Sequence, residues 1–74
     1  MKEVNSMYLG WFDDNPKKSV EVKIREGIAA YTERFKTQPT IILMHKPDMI
    51  EYPGVEVRSE TYIRKHNFWI GMAQ

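Results

Sequence analysis

The side chains best equipped for chemistry are two histidines and three aspartates. His45 and Asp48 end the stretch QPTIILMHKPD (residues 38–48), Asp13 and Asp14 open DDNP, and His66 sits in RKHN. A general base needs a partner that orients it and a pocket that tunes it. Asp48, three residues past His45 and across Pro47, is placed to be that partner. The chain has no cysteine nucleophile and no serine in a strained elbow, so no catalytic set is expected, and His45 is read as a hydrogen-bonded turn residue. His45, His66, Asp13 and Asp14 also have the atoms for a two-histidine, one-carboxylate metal site. Their spacing lacks the close ligand pairs that make such sites legible. Asp13-Asp14 is explained by turn and helix-start chemistry, so neither metal nor cofactor is expected.

A second constellation is basic and aromatic: Arg58, Arg64, Lys65 and His66, with Trp69 just beyond. Such groups hold a phosphate backbone and stack a base. On a chain of net charge +1, with eleven basic and ten acidic residues well mixed, the same residues read more simply as a solvated turn or an interface rim. Glycines stand singly at 10, 27, 54 and 71, which excludes a dinucleotide fingerprint and a phosphate loop.

The elements that must position these groups follow from hydrophobic period. Residues 7–12 (MYLGWF) read as a first strand, with residues 1–6 a flexible N-terminus. In DDNPKKS, either Asn15 caps a helix with Pro16 at its first position, or the turn runs on and Ser19 caps. Val20, Ile24, Ile28, Tyr31 and Phe35 form one apolar stripe at helical spacing. Gly27 beside it lets the helix approach a sheet. Lys17, Lys18, Glu21, Lys23, Arg25, Glu26, Glu33 and Arg34 form the wet face. Gln38-Pro39 stops the helix, and residues 40–44 run apolar without alternation, as a central strand covered on both faces does. Pro47 opens a short helical turn, Pro53-Gly54 turns again, and residues 55–58 alternate as a half-wet strand. Residues 68–72 supply the last strand. The order β-α-β-β-β predicts one α+β domain: a single amphipathic helix on one face of a small mixed sheet. Trp11, Tyr62 and Trp69 are expected to line the uncovered face.

Seventy-four residues bury only about 60% of the surface an unfolded chain exposes, so stability is thin. Two Trp, four Tyr, three Phe and five Met are more than one helix on one sheet readily hides, and such residues concentrate at interfaces. No apolar stretch has the length of a bilayer span or signal segment, so a soluble, cytoplasmic protein is expected.

Residues 31–73 are similar in pattern to the A-domain of the tailed-phage capsid and encapsulin shell fold. That pattern is a helix, a Pro-x-aliphatic strand (39–44), a His/Asn-x-x-Asp turn (45–48), a Gly-Val-x-Val strand (54–57) and a strand with an aliphatic-Gly ending (68–71). The long spine helix, extended loop and peripheral domain of those shells have no counterpart here. The resemblance implies an assembly domain without a catalytic set. The opening at residues 9–17 also resembles that of small uncharacterised prokaryotic proteins, which carries no function with it. The leading expectation is a non-enzymatic interaction domain whose partner is protein, most simply its own copies. A nucleic-acid accessory module using Arg58, Arg64, Lys65, His66 and Trp69 comes second. A small metal- or histidine-dependent enzyme centred on His45 and His66 comes third.

Overall fold

Of the two helix-start readings the structure takes the second: the turn at Asn15-Pro16 runs on, and Ser19 is the cap. In the computed structural model, which describes residues 8–73, the Asn15 N–H donates to Asp13 Oδ1 (3.0 Å) and the Lys17 N–H to Asn15 Oδ1 (2.9 Å), closing the DDNP turn. Ser19 then caps the helix, its Oγ accepting from the Val22 N–H at 3.2 Å. Lys18 ties turn to helix through Glu26 (2.7 Å) and Asp13 (3.5 Å). The Asn15 N–H above all, and Lys18 after it, hold the Asp13 carboxyl below the usual carboxylate range. The expectations for residues 1–6 and Met7 lie outside the described residues.

The elements are β1 (Leu9–Phe12), α1 (Val20–Phe35), β2 (Ile41–Met44), a short 3-10 turn (Lys46–Asp48), β3 (Glu56–Ser59) and β4 (Asn67–Gly71). This is the expected β-α-β-β-β α+β domain with a mixed sheet. The strand order is β1-β4-β2-β3. β4 runs antiparallel to both β1 and β2, while β3 lies parallel to β2. β2 is buried along its whole length, as its unbroken apolar run requires. Thr40 extends its pairing to both sides: its N–H donates to Gly71 O (2.8 Å) and its carbonyl accepts from the Glu56 N–H (2.9 Å).

The helix packs on one face over Ile42, Met44, Phe68 and Ile70, with Leu9, Trp11 and Val57 at the margins. It is rolled relative to the expected stripe. Its buried residues are Lys23, Ile24, Gly27 and Tyr31, whereas Val20, Ile28 and Phe35 are only partly covered. Lys23, Gly27 and Tyr31 form one i, i+4 row, and the bare glycine lets that row close on Ile70 and Trp11. Lys23 therefore departs from the wet face assigned to it, and is 6% exposed. A long aliphatic stem makes this tolerable, and its charge acts on Asp13. Burial also pushes the Tyr31 phenol above its ordinary value.

Trp11 too corrects an expectation. Opposite Phe68 in the β1–β4 register, it lies on the helix face, not the open one. Its Nε1 is buried without a hydrogen-bond partner among the described residues, at a penalty of about 1–3 kcal/mol.

Lys36 ends the helix in the left-handed region at φ 59°, its N–H donating to Thr32 O at 2.8 Å. Glycine is the residue suited to that conformation. Lys36→Gly is expected to stabilise the domain by about 0.5–1 kcal/mol, because relief of αL strain outweighs the added freedom of the unfolded chain. Thermal denaturation should show a Tm higher by roughly 2–8 °C. The lost Lys36–Glu33 pair is highly exposed and contributes little.

Candidate functional site: an aromatic sheet face

The second face of the sheet carries Ile41 and Leu43 from β2, Trp69 and Gly71 from β4, Gly10 and Phe12 from β1, and Glu56 and Arg58 from β3. This assignment follows from the pairing register and strand alternation. The face is not wholly uncovered. The β3–β4 loop crosses it and sets Ile63, 3% exposed, against Ile41 and Leu43, with Tyr8 alongside. Two turns hold that loop in place: the Ile63 N–H donates to Glu60 O, and the Asn67 N–H to Arg64 O, both at 3.1 Å. His66, inside the second turn, takes φ 69°.

With Ile63 pointing in, its neighbour Tyr62 is left 60% exposed. Tyr62 meets Trp69 at 5.9 Å and 68°, and Tyr8 meets the same indole at 6.5 Å and 53°. Trp69 is thus the centre of three tilted rings and remains 42% exposed. Gly10, its cross-strand neighbour on β1, offers no side chain to cover it. Phe12, 61% exposed, stands edge-on to His66 at 6.3 Å and extends the patch toward the loop. Tyr8 lies flat across Gly71: a Cβ there would fall 2.6 Å from Tyr8 Cε1.

Charge of both signs borders the rings. Arg58 occupies the same cross-strand row as Trp69, with Leu43 between them. Its Nε donates to Glu56 Oε2 at 2.8 Å, and this bond raises the guanidinium pKa. Arg64 and Lys65 are exposed in the loop.

The groups singled out for acid–base or metal chemistry do not assemble. His45 Nδ1 is 3.1 Å from Ile63 O, and Asp48 donates its backbone N–H to His45 O at 3.1 Å. His66 turns its carbonyl to the Asp13 N–H (3.1 Å) and its ring to Phe12. Asp13 is engaged with Asn15 and Lys18, and Asp14 is exposed. Among the described residues, no group of three or more His, Asp and Glu is placed to hold a metal ion. Of the three expected interface residues, Tyr62 and Trp69 share this face and Trp11 does not. Tyr8, Phe12 and Ile63 join the face without having been expected there from sequence. Their signals were present: the first two share the parity of Gly10, and Ile63 is a lone aliphatic in a polar loop.

Comparison with protein-family models, with curated proteins and with solved structures returns no match for this chain. The fold and site define its class as a small α+β domain bearing an exposed aromatic sheet face. No helix among the described residues is long and apolar enough to cross a membrane.

Proposed function

We propose that this chain is a non-enzymatic, cytoplasmic self-assembly domain, and that the face centred on Trp69 docks against a second copy. The supporting observation is the cluster Tyr8–Trp69–Tyr62 with Phe12, large rings left open on a small domain. A second copy fits better than a strongly charged partner because Glu56, Arg58, Arg64 and Lys65 give the rim both signs. A two-fold interface needs such self-complementarity. The resemblance to a shell A-domain points the same way, toward assembly.

Light scattering on a sizing column is expected to give a dimer or larger species at about 10 μM. Trp69→Glu should weaken association at least about thirtyfold, as loss of a central aromatic anchor does, and leave the fold intact. A strict wild-type monomer at tens of micromolar overturns the reading.

Arg58 in the row of Trp69 is the one observation favouring a nucleic-acid surface. Its pairing with Glu56 competes with phosphate. Filter binding of single strands at low salt, with a steep loss on adding salt, would support that second reading.

A further inference from the structure

The chain leaves its two parallel neighbours on opposite sides of the sheet. After β2 it passes through the 3-10 turn to Ile50 and Tyr52, which pack with the core on the helix face. After β3 it turns over the other face, where Ile63 joins Ile41 and Leu43. Parallel strands whose exits diverge open a crevice beyond their carboxyl ends, the place where open sheets hold small ligands. A crevice of about 340 Å³ lies there, lined by His45, Lys46 and Pro47 from the β2 exit and by Ser59, Glu60 and Thr61 from the β3 exit. That volume is at the small end of ligand sites.

His45 bridges the divergence. Its Nδ1 lies 3.1 Å from the Ile63 carbonyl oxygen, which can only accept, so Nδ1 carries the proton and Nε2 is left as the ring's acceptor. The bond orients the imidazole before any ligand arrives. Lys46 adds a cation, Glu60 an anion, and Ser59 and Thr61 two hydroxyls. Neither a simple anion nor a simple cation would satisfy that set. We propose that this crevice binds a small zwitterion of amino-acid size. The ligand ammonium is held by Glu60 and His45 Nε2, and its carboxylate by Lys46 with the Ser59 and Thr61 hydroxyls.

The test is an NMR titration of the full chain with L-serine, following the His45 ring nitrogens, with acetate and methylammonium as half-ligands. Saturation on the order of 1 mM is expected, as so few ligand atoms allow, and each half-ligand should bind at least about tenfold more weakly. His45→Asn keeps a donor near the Nδ1 position but removes the Nε2 acceptor. It should lower L-serine affinity about tenfold or more with the unfolding midpoint unchanged. Lys46→Gln, at an exposed position, should do the same and decides the matter if His45→Asn does not fold. No saturation by about 50 mM, acetate binding as well as L-serine, or wild-type affinity in Lys46→Gln overturns the proposal.

Discussion

Phe68→Ala is expected to remove a large share of the domain's stability, about 3–5 kcal/mol. Phe68 is 2% exposed and faces Trp11 on one side and Met44 on the other, beneath the helix. Ile24, Tyr31, Ile42, Met44 and Ile70 complete the cluster around it. Truncating a buried phenylalanine costs about 3–5 kcal/mol, since the apolar transfer term and the cavity left behind add. A chain of this length has roughly 4–11 kcal/mol in total. Urea unfolding followed by circular dichroism should therefore show a midpoint lowered by at least about a quarter of its wild-type value. The adjacent Trp69 points the other way and is 42% exposed. Trp69→Ala should change monomer stability by less than about 1 kcal/mol. Equal losses at 68 and 69 would show that the two side chains do not lie on opposite faces.

Gly27→Val should be the second most damaging change. A Cβ built at Gly27 runs into Ile70 Cδ1 and lies 3.1 Å from Trp11 Cδ1. Ile70 is fully buried and has little room to yield. Gly27→Ala gains about 1 kcal/mol of helix propensity, which the contact with Ile70 largely offsets. Valine adds two methyls to the same crowded point, and overpacking of that kind costs about 3 kcal/mol, or roughly 12–24 °C in Tm. The helix must lift from the sheet, so the emission of Trp11 should change as well. A Gly27→Val protein as stable as wild type would mean that helix and sheet are not in contact at this glycine.

Much of the candidate site was legible as residue type and little of it as location. Composition marks Trp69 and Tyr62 as surplus aromatics, because a small domain cannot hide them all. Trp11 had the same composition signal and went to the core. His45 reads from sequence as a hydrogen-bonded turn residue, and its ring clasps the β3–β4 loop through Ile63. The acceptor nitrogen that this clasp leaves in a crevice depends on a partner eighteen positions away, and local spacing carries no trace of it.

What the sequence determined by itself was the set of elements. A 3.6-residue stripe marked α1, an unbroken apolar run marked β2 as central, and the turn residues of DDNPKKS and Gln38-Pro39 bracketed the helix, although its last turn closes earlier, at Lys36. Periodicity and capping involve residues a few positions apart, so they survive without knowledge of the fold. The tertiary structure alone decided where β4 inserts, how far the helix rolls toward Gly27, and which way each aromatic points. Pairing Leu9 with Ile70 puts Trp11 beside Phe68 and sends Gly10 to Trp69. A shift of one residue would reverse every assignment, because side chains alternate with a period of two. Only contacts between distant segments select that register.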